Sequence, residues 1–227
     1  MNRKGEILMK LNEYLSKSAE LRSLYEIVKK DFLQKGLVHH NWNHVLRDLA
    51  SGIVIAEKEK ANMKIVLAGI LLHDIGRLHP ELSKNHYSAG ARVAPRYLKN
   101  AGFSNEEIKK IVHCIRSHGP RGLEEPKTLE AKVCYDVDVL SCSVGYIGVA
   151  RVCDYFMREE RMNVRQMVEI PSGKRGYRKD FYTQTGKKIG KKGLAKARKF
   201  WKELEREYIK EERTMKKAIL CSVRSYS

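Results

Sequence analysis

Apolar residues recur along this chain with the three-to-four-residue period of α-helices, and no convincing set of alternating strands appears. Leu21, Leu24, Tyr25, Val28 and Phe32 form one stripe, closed by Gly36 where a helix stop belongs. Leu46, Leu49, Ile53 and Ala56 form a second over about residues 43–58. Residues 61–74 are apolar nearly all round, which predicts a central buried helix. Gly76 follows at the position expected of a left-handed cap. Another helix is predicted over residues 86–100, with Pro95 interrupting or kinking it. "SNEE", residues 104–107, reads as a capping box ahead of the stripe Ile108, Ile111, Val112 and Ile115. "HGPRGLEEP", residues 118–126, reads as a loop. Helices are predicted again over about residues 128–140 and through "GVARVCDYFMREERM". Leu194, Ala197, Trp201, Leu204 and Tyr208, spaced 3, 4, 3 and 4, make the last amphipathic helix. The predicted class is all-α.

Composition changes this picture in one respect, which is charge. A chain of 227 residues with 42% hydrophobic and 32% charged residues has ample material for one sizeable core. The longest apolar run, "IVLAGILL", is far too short to span a membrane. The start "MNRKGEILMKLNEYL" has no apolar signal core, so a cytoplasmic location is expected. Five cysteines without a CxxC pair read as free thiols. The net charge is +18, and residues 172–202 alone hold 12 Lys and Arg against one Asp. "PSGKRG" reads as a linker into that segment, so the expected division is 1–170 and 171–227. Such a field attracts polyanions. Tyr177, Phe181, Tyr182, Phe200 and Trp201, interleaved with the cations, suit a nucleic-acid-binding segment.

Chemistry concentrates where the apolar run ends, at His73 and Asp74. Imidazole nitrogen and carboxylate oxygen together suit divalent ions, and the candidate donors are His44, His73, Asp74, His86, His118 and either Asp136 or Asp138. The last two lie about 200° apart on a helix, so only one can face the others. Helix phase leaves both open.

These residues carry a resemblance. "HNWNHVLRD", "LLHDIG", "HYSAGA", "IVHCIRSH" and "YDVDVLSCSVGYIGVAR" resemble, in order, the motifs of the HD-domain superfamily of metal-dependent phosphohydrolases, over about residues 25–155. The flanking words resemble its small nucleotide phosphohydrolase branch. The resemblance implies a helical bundle, to which charge and periodicity add a basic amphipathic C-terminal extension. It implies one or two divalent ions (Mn, Mg, Fe, Co, Ni or Zn) and a nucleotide or other phosphorylated small molecule as substrate. The implied ligands are His44, His73, Asp74 and Asp138, which chooses Asp138 over Asp136. His86 and His118 match the two extra histidines of the H…HD…H…H…D subgroup, which resemble second-metal ligands or phosphate contacts. Arg47 and Arg77, each three residues from an implied ligand, are candidates for holding phosphate oxygens. The chain departs from the family at Val139 and Ser141, where Arg and Asp are frequent. The expected activity is hydrolysis of a phosphoester or phosphoanhydride by metal-activated water. The basic segment supports an alternative, a nucleic-acid-binding protein or an RNA or DNA phosphodiesterase.

Overall fold

The structure, a computed structural model, describes residues 3–119, 121–170 and 181–224. Within them lie ten α-helices and no strand: α1 (Arg3–Lys17), α2 (Ala19–Lys35), α3 (Trp42–Glu59), α4 (Met63–Leu72), α5 (His86–Ala101), α6 (Asn105–Ser117), α7 (Leu129–Ser143), α8 (Gly145–Arg158), α9 (Val164–Glu169) and α10 (Gln184–Arg224). A short 3-10 helix, Ile75–Leu78, joins α4 to α5. The starts are set by side chains that accept from otherwise unpaired backbone N–H groups: Ser18, Asn41, Asn62, Asn85, Ser104, Thr128 and Asn163. Ser104 and Glu107 complete the capping box, and Gly36 ends α2 at φ +60°.

Four features differ from the sequence expectations. α1 precedes the first stripe, burying Leu11 and Leu15. α5 runs on through Pro95. α10 begins at Gln184, well before Leu194, where the predicted stripe starts. Residues 171–180, which include "PSGKRG", lie outside the described residues. Gly76 is not a left-handed cap; it sits inside the 3-10 helix. Its hydrogen faces α5, where a Cβ would lie 2.0 Å from the His86 carbonyl oxygen and 2.5 Å from the Gly90 nitrogen. Gly76→Ala is therefore expected to prise the 3-10 helix from α5 and cost about 1–3 kcal/mol in urea unfolding.

Two apolar cores result. The larger surrounds α4, whose residues Ile65 to Leu72 are all buried, with α2, α3, α6 and α7 packed around it and α5 packed on α2 and α6. The smaller joins Val149, Val152 and Phe156 of α8 to Leu194, Ala197 and Trp201 of α10. α7 serves both, giving Val133, Cys134 and Val137 to the first and Tyr135 and Val139 to the second. Burying residues of this size is worth about 1.5–3 kcal/mol each, so α4 is a rigid rod, and its C-terminal end carries His73. Among the described residues, no single helix is long and apolar enough to cross a membrane.

Candidate metal centre

His44 stands in the first turn of α3, Asp48 one turn later, His73 caps α4, Asp74 follows in the turn, and Asp138 projects from α7. The Nε2 atoms of His44 and His73 lie 3.1 Å apart. Asp74 Oδ2 is 3.4 Å from the first and 3.2 Å from the second. Asp48 Oδ2 is 3.5 and 3.7 Å from the same two nitrogens. His44, Asp48, His73 and Asp138 each direct one donor atom into a group no wider than 4.8 Å. Donors that surround one divalent ion at about 2.0–2.2 Å must crowd together in this way. These residues fit such an ion, and one observation is specific to it: Asp48 is 1% exposed, and its Oδ1 has no hydrogen-bond partner.

The surroundings hold the rings still. His73 Nδ1 donates to the Ile70 carbonyl at 2.7 Å, which leaves Nε2 as the lone pair of the neutral ring. His118 repeats the device on the Ile115 carbonyl, also at 2.7 Å. His44 Nδ1 faces Ser141 Oγ at 3.5 Å, and Arg151 grips the Ser141 carbonyl at 3.0 Å. The Cys142 thiol donates to Asp138 Oδ1 at 3.4 Å. Cys114 and Cys134 are buried free thiols, as the sequence suggested. Gly119, at φ +72°, leaves room beside Asp138, since a Cβ there would meet Asp138 Oδ2 at 2.8 Å.

Burial without full solvation drives the titration of the cluster. It lowers His44 to about 3 and raises Asp48 to about 8, where the Asp138 and Asp74 charges add to it. Burial also raises Asp138. At His73 burial opposes the charge, but the carboxylates of Asp74, Asp48 and Asp138 outweigh it and push the imidazole up to about 10. Asp74 is also buried, yet Arg77, His40 and His73 hold its carboxyl well below the usual range. Protons held on Asp48 and His73 thus take the place of a positive charge among the three carboxylates, and a divalent cation would supply that charge instead and return both groups to their donor forms.

Asp74 divides the site. Its Oδ2 faces His44 and His73, while its Oδ1 lies 3.5 Å from His86 Nε2 and 3.9 Å from His118 Nε2. Those three residues form a second group of donors. Arg77 reaches the same oxygen, donating from Nε at 2.7 Å. Burial lowers His86 to about 3 with the help of Arg77, and burial also holds His118 well below the usual imidazole range. Arg47 is half-buried with its Nε unpartnered.

Some residues were not visible in advance. Asp48 stands four residues after His44 on the same helix face, which was the available signal. Glu159 had none, being more than a hundred residues from its partners. It accepts from the backbone N–H of His39 at 2.7 Å and of His40 at 3.2 Å, and pairs with His40 Nδ1 at 2.9 Å. His40 Nε2 in turn lies 3.9 Å from Asp74 Oδ2. Burial disfavours the Glu159 charge, but these contacts outweigh it and lower the group from 4.5 to about 2. Its stabilising effect is therefore complete above pH 4.5 and is lost as pH falls towards 2. Glu159→Gln is expected to flatten the acid limb of a Tm-against-pH curve in that window, leaving the neutral limb parallel. Asp136 turns away from the cluster and accepts from Tyr182 N, Thr183 N and Thr183 Oγ1 at 2.6–2.7 Å. His113 is bound to Glu124 and Lys127 and braces the loop after α6.

Residues 41–142, which contain the whole donor set, match the family model described as HD domain. The chain carries an HD domain. Its fold is that of HD superfamily hydrolases: a predicted member from an uncultured Thermotogales bacterium superposes with a TM-score of 0.61 at 26% identity, over 87% of this chain and 98% of that one. Bacillus subtilis YpgQ, solved in complex with ADP, superposes with a TM-score of 0.58 at 18% identity, over 83% of this chain and 94% of its own. In sequence, the uncharacterized YpgQ is 32% identical over 116 residues, 49% of this chain. The match spans 55% of the length of that curated relative.

Proposed function

We propose that this HD-domain protein is a metal-dependent phosphohydrolase that cleaves a phosphoester or phosphoanhydride bond in a nucleotide. The observation that carries the reading is the convergence of four donors, His44 Nε2, His73 Nε2, Asp48 Oδ2 and Asp74 Oδ2, at 3.1–3.7 Å. With Asp138 they would hold the ion. A bound divalent ion lowers the pKa of a coordinated water and polarises a phosphoryl oxygen. The nucleotide is favoured by the ADP in the YpgQ complex and by the cations beside the donors.

The chain's own groups divide the remaining work. Arg77 commits one of its five N–H donors to Asp74, fixing that carboxylate and leaving donors for substrate phosphate. Arg47, with its unpartnered Nε, is assigned to the same task. The guanidinium of Arg77 already neutralises Asp74 Oδ1, so His86 is assigned to phosphate rather than to a second ion, and His118, whose Nδ1 is committed to the Ile115 carbonyl, lines the same side of the site. The test is a screen of nucleotides and simple phosphoesters with Mn, Mg, Co, Ni, Fe and Zn, with product identification and metal content by mass spectrometry. One ion per chain and metal-dependent release of phosphate or pyrophosphate is the expected result. Two ions per chain would refute the assignment of His86; no turnover with any metal would refute the reading.

A further inference from the structure

α10 sorts its charges in a manner the hydrolytic site does not use. Between Gln184 and Lys202 it carries eight cations and no acid: Lys187, Lys188, Lys191, Lys192, Lys196, Arg198, Lys199 and Lys202. All eight are exposed. At about 100° per residue, Lys187, Arg198, Lys191 and Lys202 fill one row about 60° wide. Lys188, Lys199, Lys192 and Lys196 fill the adjoining row, so the cations cover one half of the helix over a length of about 22 Å. The opposite side is taken by Gly190, Leu194, Ala197 and Trp201, which are buried against α7 and α8.

The continuation of the same helix is a built-in comparison. Residues 203–217 carry five Glu and five Lys or Arg, a net charge of zero. They too are almost entirely exposed. A helix that needs charge only for solubility mixes signs in this way. The half docked on the body does not.

An aromatic ring adjoins the basic half. Tyr146, at the start of α8, is 63% exposed, and Lys196 lies 5.8 Å from its ring centroid. Gly193 brings α10 close there, since a Cβ on it would meet Val144 Cγ1 at 2.2 Å. A ring open to solvent beside a row of cations is the arrangement that stacks a base while the row follows the phosphates. An anionic membrane is the poorer match, because an interfacial helix must insert an apolar face, and here Leu194, Ala197 and Trp201 are 3%, 0% and 1% exposed.

We infer that the basic half of α10, with Tyr146, is a docking surface for a single-stranded polynucleotide, separate from the hydrolytic site. The phosphates lie along the two lysine rows, and a base stacks on Tyr146. Because backbone cations carry the contact, RNA and DNA strands bind alike.

Fluorescence anisotropy of a labelled single-stranded RNA oligonucleotide, titrated with the full-length protein, tests this. If about five cations engage phosphates, affinity falls about 100-fold between 50 and 200 mM salt. Lys188→Glu, Lys192→Glu and Lys196→Glu together should reduce the log–log salt slope by about 2. Tyr146→Ala should weaken binding about 5- to 100-fold. The matched reversals Lys210→Glu, Lys216→Glu and Lys217→Glu on the neutral half, and His73→Ala in the centre, should leave binding unchanged. Circular dichroism melts establish that each variant is folded. Wild-type affinity in the first triple variant would overturn the proposal. So would equal loss in the second triple, loss in His73→Ala, or binding to phosphatidylserine vesicles without binding to the oligonucleotide.

Discussion

His73→Ala is expected to reduce metal-dependent phosphohydrolysis by about a thousandfold or more, because several kcal/mol of transition-state stabilisation depends on the held ion. The imidazole is 3% exposed, fixed through Nδ1, and presents Nε2 within 3.1–3.7 Å of three other donors. Removing it leaves Asp48, Asp74 and Asp138 facing one another without its charge. The variant should bind Mn far more weakly in a calorimetric titration while still melting cooperatively. A folded His73→Ala protein with parental turnover would remove this cluster from the reaction.

Asp48 gives the second large effect, and it separates affinity from stability. An acid with an unpartnered buried oxygen costs about 1–3 kcal/mol. Asp48→Val should therefore raise the stability of protein kept in chelator by about that amount. The same change should weaken Mn binding about 10- to 100-fold, the scale on which supporting groups of metal sites act. Asp48→Asn, nearly the same shape, should show the affinity loss with a smaller gain in stability. Unfolding in urea with and without Mn measures both quantities. Unchanged affinity in both variants would exclude Asp48 from the donor set.

Much of this architecture was legible in the residue order because it rests on local rules. Ser104 with Glu107, Gly36, and the apolar block before His73 each act within a few residues, and each appears in the structure as read. The four positions His44, His73, Asp74 and Asp138 meet in one cluster. Contacts made at a distance were less legible. Gly76 was misread because its neighbour is the backbone of α5, not its own helix end. Glu159 could not be seen because its partners lie on the far side of the bundle in sequence. Asp48 was hidden differently: its i+4 relation to His44 was present, but the burial that gives it meaning comes from α4 and α7. Asp136 and Asp138 show both cases at once, since phase left them equal and three-dimensional packing gave each a separate partner.

That separation makes α7 a beam loaded from two sides. Asp138 hangs from one side of it over the His44–His73 donor cluster, while Asp136 holds the backbone and hydroxyl of residues 182 and 183 where α10 begins. Position of the C-terminal helix and position of a carboxylate in the donor cluster are therefore not independent variables. Whatever pulls on one end of this beam is registered, by leverage across two residues, at the other.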